Sequence, residues 1–388
     1  MEIIPLLRLM AEKKASDLFF SAGTRVSIKI EGVSRPINLP ELDAATSREV
    51  AYGLMNEAQI KAFEASNEMN FGYGLKDIGN FRVNVFRQRG AVAMVIRYVS
   101  NTIPSIDELG LPPLLRDLVM EKRGLMLVVG ATGSGKSTTL ASMIDYRNAN
   151  QTGHILTIED PIEYVYRHKK SIVNQREVGL DTQSYHNALV NAMREAPDMI
   201  LIGEIRDKET MQHAMTYAQT GHLCMSTLHA NNSYHAMNRI ISFFPHDARP
   251  ALLLDISVSL KCVISQRLVP GVDGRRVAAV EVLMNTTHIA ELIKNGDVDQ
   301  IKEAMEKSLT PGSQTFEQAL YRLYKSGKIS LAEAMRNADS PTNLSWLINN
   351  AAPADEEPLR MDAGEGGAGG GADDLSTFTL NLDELQKT

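Results

Sequence analysis

Several short stretches of this chain hold residues whose types and spacing could do chemistry. The first, Gly130, Ala131, Thr132, Gly133, Ser134, Gly135, Lys136 and Ser137, is a G-x-x-x-x-G-K-S pattern that follows five apolar residues, Leu125 to Val129. That apolar run has the length and branching of a buried strand. Gly130, Gly133 and Gly135 free the backbone to turn so that successive N–H groups point inward at phosphate oxygens. Lys136 would then reach the β- and γ-phosphates, and the Ser137 hydroxyl would hold Mg²⁺. From Thr138 onward, Leu140, Met143, Ile144 and Arg147 share one helical side, which aims a helix N-terminus at the phosphates. A plain glycine-rich turn is the alternative. The strand before and the helix after favour a nucleoside triphosphate site with residues 130–138 as its cradle.

Ligands in open parallel sheets sit at the carboxyl ends of the strands, so the residues that follow each apolar run are the next candidates. Glu159, Asp160 and Glu163 follow Ile155 to Ile158, Gly203 and Glu204 follow Met199 to Ile202, and His229 follows Leu223 to Thr227. A γ-phosphate site needs one carboxylate near the metal and another to orient the attacking water, and these are the groups available. Glu204 has a blander alternative, an acid near a helix N-terminus that favours the dipole. His222 and His229 bracket a strand and so lie a strand's length apart, which suits neither a shared metal nor a relay. His229, with Thr227, is either a γ-phosphate sensor or a satisfied core or turn histidine.

The elements that must position these groups follow from periodicity. The apolar runs alternate with helical stretches at about Thr138 to Asn148, Ser184 to Glu195 and Asp207 to Thr220, the last with Asp207 as N-cap and Gly221 just past its end. Such βαβ alternation predicts a mostly parallel sheet of the RecA-like P-loop kind. Beyond Arg239 the chain is expected to be largely helical as far as Trp346.

Residues 1–100 form a separate α+β block without a P-loop. Residues 2–14 have helical spacing, Val26, Ile28 and Ile30 alternate as in a strand, and FRVNVF and VAMVIRYV read as a hairpin. Phe81, Val83 and Val85 must face the same core as Val92, Met94 and Ile96, and a loop over Gln88 to Ala91 then sets Arg82 opposite Arg97. Like charges directly opposite are unfavourable. The pair is either two solvated arginines that splay apart or an anion clamp aimed at phosphate. Residues 101–115, with three prolines and a glycine, read as the linker to a P-loop domain over 116–350.

The 388 residues are 44% hydrophobic and 22% charged, as in a soluble globular protein of two or three domains. No leader and no apolar run of membrane length is evident, so a cytoplasmic protein without a membrane span is expected. Cys224 and Cys262 are far apart and outside any C-x-x-C, which predicts buried thiols and gives no support to a zinc site. Residues 351–388 carry nine acids against two bases, the whole of the net charge of −7. This glycine-rich acidic tail is expected to be disordered. The balanced body gives no support to a nucleic-acid motor, so no nucleic-acid partner is expected.

Taken together, ASDLFF, FRVNVF, GATGSGKSTT, ILTIEDPIEYV, NQREVGLDT, APDMILIGEIRD and TGHLCMSTLHANN resemble the secretion ATPase superfamily, and within it the type IV pilus retraction ATPases of the PilT/PilU family. The resemblance covers about residues 1–350, and VGLDTQSYHNAL, HLCMSTLHANN and the acidic tail look more like the PilU branch. It implies a PAS-like N-terminal domain, a RecA-like ATPase domain with a helical C-terminal part, and a ring of six with ATP between the domains. It implies that Glu204 is the Walker B glutamate, that Glu163 is a catalytic glutamate, and that Arg82 and Arg97 close on the nucleotide. The partners implied are a PilT-type ring and the pilus machine at the inner membrane. One departure stands out. Where PilT-type motors carry AIRNLIRE, this chain has HIAELIKN, with Ala290 in place of the first arginine and Lys294 in place of the second. A pilus assembly or secretion ATPase, or a regulatory subunit that binds nucleotide and docks on another motor, are the competing expectations.

Overall fold

The computed structural model describes residues 1–350 apart from Glu31, Asp77, Ser100 and Asn101. The expected disorder of residues 351–388 lies outside the described residues. Within them the strands form two sheets, one of six and one of seven.

The first sheet joins β1 (Asp17–Phe20), β2 (Ser27–Ile30), β3 (Val33–Pro36), β4 (Glu68–Leu75), β5 (Gly79–Gln88) and β6 (Ala91–Val99) in the order β3-β2-β1-β6-β5-β4. Helices α1 (Ile4–Glu12), α2 (Ala44–Leu54) and α3 (Glu57–Ser66) supply Leu7, Met10, Val50, Ala51 and Phe63 to the same core as Phe81, Val83, Val85, Val92, Met94 and Ile96. The expected register holds, with Val83 opposite Ile96 and Arg82 opposite Arg97. Gln88 and Ala91 themselves pair, and Arg89 and Gly90 make the turn with φ of +50° and +81°. Positive φ at both positions matches the right-handed twist of the flanking strands.

The second sheet joins β7 (Gly124–Val129), β8 (Gly153–Glu159), β9 (Ser171–Glu177), β10 (Met199–Ile202), β11 (Leu223–Leu228), β12 (Leu260–Pro270) and β13 (Arg276–Met284), in the order β13-β12-β7-β11-β10-β8-β9. All its pairings are parallel except β12 with β13. Every residue of β7 is buried. Leu125, Leu127 and Val129 enter the core on one side of the sheet, and Met126 and Val128 enter the core on the other. That two-sided burial is why the strand reads as an unbroken apolar run.

Helices α4 (Leu114–Val119) and α5 (Lys136–Asn150) cover one face of this sheet, whereas α6 (Tyr185–Ala192), α7 (Lys208–Gln219), α8 (Ser233–Ser242), α9 (Arg249–Ser259) and α10 (Thr287–Asn295) cover the other. Asp207 caps α7 by accepting from the Thr210 N–H at 2.8 Å, and Gly221, with φ of +100°, lies just past its end, both as expected. The largely helical region expected beyond Arg239 needs correcting. Leu260 to Met284 is an antiparallel strand pair that turns at residues 271–275 and adds two strands beside β7. A buried central strand and a buried helix are both short apolar runs, and periodicity alone does not separate them. Helices resume at α10 and run to Asn350.

Candidate functional site

The carboxyl ends of β7, β8, β10 and β11 open on a cavity of about 500 Å³, of the size that suits a nucleotide. It is lined by Thr132, Gly133, Lys136 and Ser137 from the P-loop, by Glu159 at the end of β8, by Asp160 and Glu163 just after it, and by Gly203, Glu204, Thr227 and His229. Arg97, from the N-terminal sheet, reaches the same cavity.

The P-loop is shaped for a ligand rich in oxygen. Gly135 precedes α5 with φ of +89°, and a Cβ there would come within 2.7 Å of the Gln266 side-chain nitrogen. Lys136 Nζ donates to the carbonyls of Gly130 at 2.8 Å and Ala131 at 3.0 Å, and burial pushes its pKa down against the pull of Glu204. The Ser134 hydroxyl is buried without a hydrogen-bond partner among the described residues. A lysine held by its own loop's carbonyls, an unpaired buried hydroxyl and a helix start together fit a polyphosphate, which would supply acceptors to all three. Ser137, exposed at the first turn of α5, offers a hard oxygen of the kind Mg²⁺ prefers.

The carboxylates differ sharply in surroundings. Glu159 is nearly buried and accepts from Thr157 Oγ1 at 2.6 Å and Gln175 Nε2 at 3.3 Å; burial outweighs these bonds and raises its pKa to about 7. Asp160 and Glu163 are exposed. Glu204 has both oxygens engaged: Arg206 Nε donates to one at 2.7 Å, and His229 Nε2 lies 3.3 Å from the other. Arg206 Nη1 also reaches Asp160 at 3.3 Å, so one guanidinium ties two strand ends together. Gly203 permits this crowding, because a Cβ there would stand 2.9 Å from the Tyr185 hydroxyl and 3.2 Å from the Ile158 carbonyl oxygen. Thr227 Oγ1 donates to the Gly203 carbonyl at 2.7 Å. His222 sits at the far end of β11 from His229, a strand's length away as expected.

The two arginines of the hairpin part company. Arg97 bonds Asp17 at 3.0 Å and borders the cavity, whereas Arg82 donates to the Ile162 carbonyl at 2.5 Å, lies 3.5 Å from Glu177 and is absent from the cavity lining. They splay apart as like charges should. Arg206, Tyr164, Tyr166 and Tyr185 border or brace the site without having been singled out in the sequence. Arg206 had a signal, a cation two residues after Glu204. Gln266 had none: it accepts from Thr139 Oγ1 at 2.6 Å and belongs to β12, the strand that periodicity misses. Cys224 and Cys262 are buried and unbridged, and burial raises both thiol pKa values, that of Cys262 to about 12.

A P-loop on a RecA-like sheet, with carboxylates and a histidine at the neighbouring strand ends, defines a nucleotide-binding P-loop domain as a class. Over residues 3–336 the chain matches the family described as type II/IV secretion system protein, and it belongs to that family. It is 49% identical over 360 residues to the type IV pilus ATPase PilU of Pseudomonas aeruginosa, covering 92% of this chain and 94% of that protein. It is 41% identical to the type IV pilus retraction ATPase PilT of the same organism, covering 88% of this chain and all of that one. The crystal structure of the pilus retraction motor PilT with bound ADP matches with a TM-score of 0.83 at 42% identity, covering 89% of this chain and 99% of that one. The expected mixed α/β architecture, a PAS-like block before a RecA-like domain, agrees with these likenesses. No helix among the described residues is long and apolar enough to cross a membrane.

Proposed function

We propose that this chain is an ATP-hydrolysing motor of type IV pilus retraction, working as a PilU-like accessory to a PilT-type ring. The observation that supports this most is the single cavity that gathers Lys136, Ser137, Glu159, Glu163, Glu204 and His229 in a chain so similar to pilus ATPases. Residues 130–138 bind the triphosphate: Lys136 leaves the Gly130 and Ala131 carbonyls for the β- and γ-phosphates, and the loop N–H groups take the remaining oxygens. Ser137, with Glu204 as the nearby carboxylate, would hold Mg²⁺, which would supply positive charge against that of the phosphates. Glu163, exposed on the rim, orients the attacking water, and His229 senses the γ-phosphate through its contact with Glu204. Glu159 and Asp160 shape the acidic wall, Arg97 closes on it from the N-terminal block, and Arg82 holds the segment after β8 through the Ile162 carbonyl and Glu177.

The division behind this is a PAS-like domain over 1–100, a linker over 101–115 and an ATPase domain over 116–350. Such chains work as a ring, here of six, in the cytoplasm at the inner-membrane platform of the pilus machine. The accessory role rests on α10. Its exposed Lys294 and half-buried Ala290 stand where a PilT-type motor carries two arginines, and a methyl group cannot make the charge-assisted contacts of a guanidinium. The test is genetic: with the PilT-type gene deleted and this one kept, retraction should be lost or strongly impaired. Wild-type retraction in that strain would overturn the accessory reading. Absence of phosphate release from the purified chain, alone and with the companion ring, would overturn the motor reading.

A further inference from the structure

Away from the P-loop, α6 and α7 bring together three side chains with metal-ligating atoms: His186, Glu209 and His213. Glu209 and His213 are four residues apart on α7 and so project from one side of the helix a turn apart. His186 sits in the first turn of α6, which Ser184 caps by accepting from the Asn187 N–H at 3.1 Å. Its Nδ1 already contacts Glu209 Oε1, and its ring lies 6.3 Å edge-on from that of His213. One donor atom from each of the three lies within 4.8 Å of the other two.

A tetrahedral ion with bonds of about 2.1 Å needs donors about 3.4 Å apart. His186 and Glu209 have side chains 56% exposed, which leaves them room to rotate toward that spacing. The helices are fixed to one another beneath the cluster: Tyr217, buried one turn after His213 with its ring 6.0 Å from that histidine, donates its hydroxyl to the Leu189 carbonyl of α6. An ordinary ion pair would account for His186 with Glu209 and leave His213 unexplained. Two imidazoles and one carboxylate suit zinc and its neighbours in the first transition row; magnesium and calcium prefer all-oxygen shells.

We propose that His186, Glu209 and His213 form a surface site for a divalent transition ion of the zinc class, which staples α6 to α7. The staple would sit beside the nucleotide cavity. Tyr185, the neighbour of His186, lines that cavity, and Asp207, two residues before Glu209, ends the loop that carries Glu204 and Arg206. A bound ion would therefore stiffen two segments that border the γ-phosphate end of the site, and the proposal holds whichever motor the chain serves.

The experiment uses the full chain with any affinity tag removed. Zinc chloride is titrated by calorimetry, and melting temperature is measured with and without zinc. The expected result is one ion per chain at micromolar affinity or tighter, with a zinc-dependent rise in melting temperature. His213→Ala and His186→Ala should each weaken binding at least tenfold and abolish that rise, while melting normally in the presence of a chelator. Glu209→Gln, which keeps the side-chain shape, should weaken binding without affecting the chelated protein. Undiminished affinity in both histidine variants would place the ion on others of the nine histidines and overturn the proposal. So would a wild-type chain that takes up no zinc below about 100 μM, which would leave the cluster an ion pair with a stacked ring.

Discussion

Lys136 and Glu159, on the floor of the cavity, are 8% exposed, whereas Asp160, Glu163 and Arg97, on its rim, face solvent. The floor stands on strands buried on both faces, so its charges lose their water when the domain folds and are held by bonds from no more than 16 residues away in sequence. The rim draws on two different sheets, and its contacts span 80 residues of sequence, as in Arg97 with Asp17 and Arg82 with Ile162. The floor is therefore set by folding, and the rim depends on how the N-terminal block stands against the P-loop domain. Desolvation also weights the two differently: a removed floor charge leaves partners stranded in low dielectric, whereas a removed rim charge is largely replaced by water.

The largest effect should come from Lys136→Ala. It removes the cation that the P-loop aims at the phosphates, and calorimetry should find no ATP binding; unchanged affinity would break the assignment of the floor. Next is Glu204→Gln, which should keep ATP bound and slow turnover by about 10²- to 10⁴-fold. If turnover survives there and Glu163→Gln alone is dead, then the one essential carboxylate lies on the rim and Glu204 is dispensable for turnover.

What was legible in the sequence follows the same division. The P-loop, the Asp207 cap and the Arg82–Arg97 pairing rest on local turn chemistry and on period-two alternation, which act over a few residues and leave a clear trace. β12 was missed because a central strand beside β7 carries no alternation, and its partner β13 and Gln266 were missed with it. The attachment of Arg82 to the Ile162 carbonyl and the bridging of Glu204 and Asp160 by Arg206 depend on how distant segments dock. No pattern in FRVNVF distinguishes the arginine that reaches the cavity from its neighbour across the hairpin.

A third effect concerns stability. The pKa of Glu159 is raised by burial from 4.5 to about 7, so in the folded state it keeps a proton that the unfolded chain releases. Its contribution is fully present below pH 4.5, falls as the pH rises toward 7, and is level above that. At about 1.4 kcal/mol per pKa unit, the swing is on the order of 3 kcal/mol. Glu159→Gln cannot ionise and should lack this component. Denaturant melts at pH 5 and pH 8 should show the variant gaining roughly that amount over wild type at the higher pH; parallel profiles would mean that the floor carboxylate is better solvated than its surroundings imply.

The smallest effect separates the two arginines. Arg97 borders the cavity half-exposed and bonds Asp17, so its removal strips one charge-assisted contact from the nucleotide's edge. Such contacts are worth about 1.5–3 kcal/mol when well shielded and less when wet. Arg97→Ala should therefore lower kcat/KM for ATP by about tenfold with little change in melting temperature. Arg82 is engaged with the Ile162 carbonyl and Glu177, so Arg82→Ala should act chiefly on the segment after β8, as faster hydrogen exchange at Ile162 to Tyr164, with a kinetic loss of about threefold or less. The opposite order, with Arg82→Ala the worse enzyme, would mean that Arg82 leaves Ile162 and Glu177 for the nucleotide during turnover. The rim would then be a moving part, and the arrangement seen here would be one of its two positions.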